Sequence, residues 1–201
     1  MTRIPEHATV LRQIRSLQVV VIHPPDQDGD ELSAQLHRIG CNVQTYWPEL
    51  RVLPPDTGIV LLAVRPETLG IEYPWIGQPS TPPVIPVVTY ESPITIEAVL
   101  QLNAFTTIAS PVRSFGLLTA IAVALMQHKA RHTRERYIQR LEQKSTKQRV
   151  VQQAKQIMME ARGISEDEAY AILRSQSMAK RSNIEDVAHN IIEAHKTLGL
   201  D

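Results

Sequence analysis

An α/β front half built on a doubly wound parallel sheet, followed by an all-helical back half, is the architecture that this chain predicts. Three observations carry it. All 14 prolines lie between Pro5 and Pro111. LQVVVI (17–22), GIVLLAV (58–64) and VIPVVTY (84–90) are short, nearly continuous apolar runs bounded by Pro and Gly. From Arg113 to Arg162 the chain is proline-free and compatible with one helix. An interior proline costs a helix about 3 kcal/mol, so the one-sided proline distribution separates the halves near Pro111 to Ser114.

The three apolar runs fit buried parallel strands better than half-exposed antiparallel ones. Between the first two lies DELSAQLHRIG, with Leu32, Leu36 and Ile39 at helical spacing and Gly40 placed to end the helix. NVQTYW is expected as a second strand, ITIEAVLQLNA as a later helix and FTTIAS as the last strand. Alternating β and α elements imply a sheet of about five strands.

The back half begins with the stretch from Arg113, expected as a helix of about 45 to 50 residues, roughly 70 Å long. Its first third is apolar enough to pack on the α/β domain or on a twin. Its middle offers only Tyr137, Ile138 and Leu141 as seam residues. The expectation is a parallel coiled-coil homodimer, with a hairpin folded back on the domain as the alternative. After Arg162-Gly163, Ser165 to Glu168 and Ser182 to Glu185 each match the S/T-x-x-E capping box, so two further helices are expected. Ala154, Ile157, Met158, Ala161, Ala169, Ile172, Leu173, Ile184, Val187, Ala188, Ile191 and Ile192 supply the facing stripes of a three-helix tip. The domains are therefore expected at 1–112, 113–148 and 149–201.

Composition narrows the function. A 201-residue chain that is 43% hydrophobic can bury a core. No run approaches the roughly 18 apolar residues of a membrane span, and MTRIPEHATVLRQ lacks the apolar region of a secretory signal, so a cytoplasmic protein without membrane contact is expected. Cys41 is the single cysteine and is expected as a core thiol. His128 and His132 stand four apart without a third ligand, so neither a metal nor another cofactor is expected. Asp26, Asp28 and Asp30 lack the later residues of a calcium loop and read as a solvated turn capping the first helix. No phosphate loop, nucleophile elbow or zincin motif is present, and no enzyme site can be assembled.

The formal net charge of zero hides an asymmetry. Residues 1–110 carry 11 acidic and 6 basic groups, whereas residues 111–201 carry 10 acidic and 15 basic groups. Within Lys129 to Lys155, nine Lys and Arg face only Glu135 and Glu142. Lys155, Tyr170, Arg174, Lys180 and Arg181 fall on the faces that the tip leaves uncovered. Positive charge beside an exposed aromatic matches what nucleic acid requires, phosphate neutralisation and a flat face for an unstacked base. A solvated basic helix face is the plain alternative.

The front sheet has the layout of a phosphate-signalling receiver, flavodoxin-like in fold. That chemistry needs acids after the first strand, an Asp acceptor ending the third, a hydroxyl after the fourth and a Lys after the fifth. Here the first strand is followed by His23, the acceptor position is Ala63, the residue before the last-strand proline is Ser110, and only Thr89 is retained. An alanine cannot form an acyl phosphate, so a pseudo-receiver is expected.

The string RVVQQAKQIMMEARGISEDEAYAILRSQSMAKR (149–181) resembles the ANTAR domain, the RNA-binding output module of bacterial transcription antiterminators. The resemblance rests on Ala154-Lys155, Met158-Met159, Gly163, Glu168-Ala169-Tyr170, Leu173-Arg174, Met178 and Val187-Ala188; Ser177 departs from the usual Ala. The rest of the chain resembles the AmiR/NasT group, with LQVVVIHPPD, LHRIGCNVQTYWP and VTYESP similar to its amidase-operon branch. The resemblance implies a pseudo-receiver, a coiled-coil dimer stalk and an ANTAR tip that binds hairpins in leader mRNA. It further implies control through sequestration by a ligand-sensing repressor of periplasmic-binding-protein fold. Lys155, Arg174, Lys180 and Arg181 are the expected phosphate or base-edge contacts, Tyr170 the stacking residue and Arg149 an additional contact. A DNA-binding response regulator and a protein-protein interaction module are the rival readings.

Overall fold

The computed structural model describes residues 12–113 and 115–197. Ser114, at the expected boundary between the halves, lies outside the described residues. The chain divides between His132 and Thr133 into two compact units.

The first unit is built on five parallel strands, β1 (Gln18–Ile22), β2 (Asn42–Tyr46), β3 (Ile59–Val64), β4 (Val84–Val88) and β5 (Ile108–Ala109). Their spatial order is β2-β1-β3-β4-β5, the flavodoxin-like order of doubly wound sheets. All six residues of β3 are buried, as a central strand covered on both faces requires. Successive side chains alternate between the faces. Val19, Val21, Ile59, Leu61, Ile85 and Val87 join a cluster with Leu32 and Leu36 of α1 (Gln27–Ile39) and with Leu117, Ile121 and Ala124 at the start of α3 (Leu117–Arg162). Thus the apolar opening of the long helix packs on its own α/β domain. Cys41 lies in the same cluster as a free, buried thiol, its ionisation pushed upward by burial.

The opposite face differs from simple β/α alternation. Among the described residues only α2 (Pro93–Gln101), between β4 and β5, contributes an α-helix there. Between β2 and β3, and between β3 and β4, no α-helix forms; the second connection has only a 3₁₀ turn at Pro66–Thr68. Pro48, Pro54 and Pro55 interrupt the first connection, and Pro66, Pro74, Pro79, Pro82 and Pro83 the second. These two segments cover Val20, Ile22, Val60, Leu62 and Val84 with aromatic side chains instead. Tyr73 donates to the Pro48 carbonyl at 3.2 Å and Trp75 Nε1 to the Leu50 carbonyl at 2.7 Å, which ties one segment to the other.

Gly40 ends α1 at φ 98°, the left-handed position that favours glycine, and its N–H donates to the carbonyls of Leu36 and His37. At the other end Asp26 caps α1 by accepting from the Gly29 amide at 2.9 Å. Gly29 permits a close approach there, since a Cβ on it would meet the Pro24 carbonyl oxygen at 2.6 Å.

The long helix α3 has 46 residues and stops where the sequence predicts, before Gly163. Its last turns pack with α4 (Glu166–Lys180) and α5 (Ile184–Thr197) in the second unit. The predicted capping box is formed at α4: Ser165 Oγ accepts from the Glu168 amide, and the Glu168 carboxylate accepts from the Ser165 amide at 2.9 Å. At α5 the helix begins at Ile184, so Asn183 rather than Ser182 immediately precedes it. The core contains Ala154 and Met158 from α3, Ala169 and Leu173 from α4, and Val187, Ala188 and Ile192 from α5. Three fully buried alanines, at 154, 169 and 188, let the backbones approach closely around Leu173.

Candidate nucleic-acid interface and the carboxylate pocket of the sheet

At the carboxyl ends of the strands, the predicted receiver positions have unequal fates. His23, one residue past β1, is buried; its Nδ1 lies 3.0 Å from the Pro24 carbonyl oxygen and 3.4 Å from Asp26 Oδ1. Ala63 is buried inside β3, pairs with Val87 and carries only a methyl group. Thr89 is exposed just beyond β4. Ser110 is buried and donates to Asp28 Oδ2 at 2.5 Å, bringing the end of β5 to the first turn of α1.

The residue that sequence reasoning missed here is Arg65. It follows β3 directly, and its Nη2 sits 2.8 Å from Asp26 Oδ2. A guanidinium therefore pairs with the first acid after β1, in the neighbourhood where a receiver holds a divalent cation. Burial pushes the Asp26 carboxyl upward, but the Gly29 amide, Arg65 and His23 together outweigh it and hold the group below its ordinary value. Asp26 and Asp28 are thus structural partners, one as helix cap and arginine partner, the other as acceptor for Ser110. The expected solvated capping turn is right for the cap and incomplete for Asp28. The signal available in the sequence was an arginine directly after an apolar strand, just before Pro66.

His128 Nε2 lies 2.9 Å from the Thr81 carbonyl oxygen and 3.1 Å from His132 Nε2. Among the described residues, no group of three or more His, Cys, Asp and Glu is placed to hold a metal ion.

In the second unit, Arg149 of α3, Arg174 and Lys180 of α4 and Arg181 after α4 are exposed. None of these four has an ion-pair partner among the described residues. Tyr170 is 46% exposed, leaving much of its ring open. Arg181 adopts a left-handed backbone at φ 50° to close α4, an uncommon conformation for a side-chain-bearing residue. The fifth cation, Lys155, departs from the expectation of an open side chain. It is only 13% exposed, its Nζ bonds Glu166 Oε1 at 2.5 Å, and it lies 6.0 Å from the Tyr170 ring centroid. Lys155 holds the Glu166 carboxyl below its ordinary value, with Gln152 assisting. Glu168 is also held low, first by the Ser165 amide and then by its hydroxyl. A second acid at the opening of a tip helix, Glu185, stands 3.9 Å from Lys147 Nζ.

A receiver-type sheet whose acceptor is alanine, continued by a helix into a three-helix unit with open cations, defines a receiver-like regulator with a helical output module. Comparison with known proteins makes the assignment particular. The family described as "AmiR, N-terminal" matches residues 17–125 and the ANTAR domain matches residues 139–192, and the chain belongs to the AmiR family. It is 26% identical over 186 residues to the aliphatic amidase regulator of Pseudomonas aeruginosa, covering 92% of this chain and 95% of that protein. Among solved structures, the response regulator StyR aligns with a TM-score of 0.53 at 19% identity, over 89% of this chain and 99% of that one. The latter likeness concerns the fold. No helix among the described residues is long and apolar enough to cross a membrane.

Proposed function

We propose that this chain is a non-enzymatic transcription antiterminator that binds hairpins in leader mRNA through its ANTAR tip. The observation that carries this reading is the coincidence of the ANTAR match with the open cations Arg149, Arg174, Lys180 and Arg181 and the exposed ring of Tyr170 in the same unit. Guanidinium and ammonium groups supply phosphate and base-edge contacts. Tyr170 supplies a stacking face worth about 1–3 kcal/mol to a flipped base. Holding such a hairpin favours an RNA fold that excludes the terminator, so that polymerase reads through.

Control is by a protein partner rather than by phosphorylation. Ala63 has no oxygen to phosphorylate, and Arg65 already neutralises Asp26, which leaves the pocket without the charge pattern that a metal and phosphoryl group need. The partner is a ligand-sensing repressor of periplasmic-binding-protein fold that sequesters the regulator. Homodimerisation runs through the middle of α3, where Tyr137, Ile138 and Leu141 are exposed apolar groups on an otherwise charged helix. The domain limits proposed are 1–112, 113–148 and 149–201, and the site of action is the cytoplasm.

The test is a gel-shift titration of full-length protein with transcribed leader RNA and with the matching DNA duplex, across salt. Tighter binding to the RNA, weakened by Arg174→Ala and Lys155→Ala, is the expected result. Tighter duplex binding would assign the tip to DNA instead.

A further inference from the structure

Of the five side chains in the tip to which RNA binding assigns a cation, Lys155 alone already carries an anion. Its Nζ is 2.5 Å from Glu166 Oε1, whereas Arg149, Arg174, Lys180 and Arg181 have no carboxylate within ion-pair distance among the described residues. We propose that Glu166 holds the place of an RNA phosphate on Lys155 in the free protein, so that RNA binds by displacing this carboxylate and weakly held polyanions are turned away. The inference rests on the RNA-binding reading of the tip.

The geometry favours a displaceable plug over a structural tie. A phosphate oxygen bonds an ammonium group at about 2.7–2.9 Å, the same coordination shell that Glu166 now occupies. Both anions cannot sit there without repulsion. The lysine is nearly buried and fixed beside Tyr170, whereas Glu166 is 55% exposed, so the carboxylate is the partner free to swing into solvent. Glu166 is the first residue of α4, where the helix N-terminus favours a negative charge and the Ser165 and Glu168 box fixes the backbone. Returning the plug after release of RNA therefore needs only a side-chain rotation. The pair contributes little to folding, because its carboxylate is more than half open to water, which screens the attraction. The second pair, Lys147 with Glu185, is longer at 3.9 Å and its lysine is open to solvent, so it blocks nothing.

The experiment compares full-length protein with its Glu166→Gln, Lys155→Gln and doubly substituted forms. The probes are the transcribed leader of the operon that carries this gene and a scrambled RNA of equal length, each across a salt series. Glu166→Gln is expected to tighten both RNAs by about two- to fivefold, the size of a released ion pair whose carboxylate is solvated. Both should respond because a phosphate contact carries no sequence information. Its salt dependence should stay close to that of the wild type, because the Lys155–phosphate contact and the counterion it releases are common to both forms. In the Lys155→Gln background the gain should vanish. A wild-type protein that binds leader RNA while Glu166→Gln leaves affinity unchanged or weaker would overturn the plug and make Glu166 a residue that orients Lys155. Absence of leader binding by every form would overturn the RNA reading and the plug together.

Discussion

Arg65 Nη2 lies 2.8 Å from Asp26 Oδ2, joining the end of β3 to the cap of α1 across 39 positions of sequence. The contact gives the first of the acids that follow β1 a cationic partner. Arg65→Gln keeps the bulk and a donor but removes the charge. The first unit should lose about 1 kcal/mol, since the carboxylate left behind is partly solvated. Thermal unfolding of the full chain at neutral pH measures the loss.

Acid should weaken the same unit. The folded Asp26 carboxyl lies below its ordinary value, so its contribution is complete above about pH 4, the unfolded value, and is lost as pH falls through the folded one. Unfolding temperatures taken from pH 6 downward should drop in that range. In Asp26→Asn the part of the drop due to this group should be absent; an identical profile would assign the acid sensitivity elsewhere.

Leu173 is fully buried at the centre of the tip, among alanines too small to collapse into a vacancy. Leu173→Ala should therefore cost about 2–5 kcal/mol. Loss of amide-exchange protection confined to α4, α5 and the end of α3 is the expected signature, with the strands of the first unit still protected.

Arg181 closes α4 in the left-handed region that glycine occupies without strain. Arg181→Gly should raise the stability of the tip by about 1 kcal/mol. At the same time it should weaken leader RNA, because an exposed cation is removed. Opposite signs in a melting curve and a binding titration are the diagnostic result; a variant that gains stability without losing affinity would remove Arg181 from the interface.

Much of this architecture was legible in the sequence because its determinants are local. Val19 to Ile22 and Ile59 to Val64 announce buried strands by composition alone. Gly40 ends α1, Gly163 follows the last turn of α3, and Ser165 with Glu168 opens α4, all through contacts spanning a few residues. The tip core was readable from stripes at helical spacing, down to Ala154, Leu173 and Ala188. The alanine expected at the acceptor position, Ala63, was found from the strand run alone, and it lies inside β3.

Contacts made across the fold were not legible. Ser110 reaches Asp28 from 82 residues away, and Arg65 reaches Asp26 only because β1 and β3 are neighbours in the sheet. The covering of one sheet face by Tyr73 and Trp75 followed from two proline-rich segments bonding to each other, a pairing that neither segment encodes alone. Periodicity likewise located Lys155 on the tip but not the carboxylate on it, since Glu166 arrives there only after the chain turns back at Gly163.

The amino-acid order by itself determined which apolar segments are strand or helix and where α1 and α3 stop, because backbone sterics and capping act over short separations. Which charges meet was decided by tertiary structure alone. An ion pair depends on a few ångströms between groups far apart in the chain, and only the packed sheet and the folded tip set those distances for Arg65 with Asp26 and for Lys155 with Glu166.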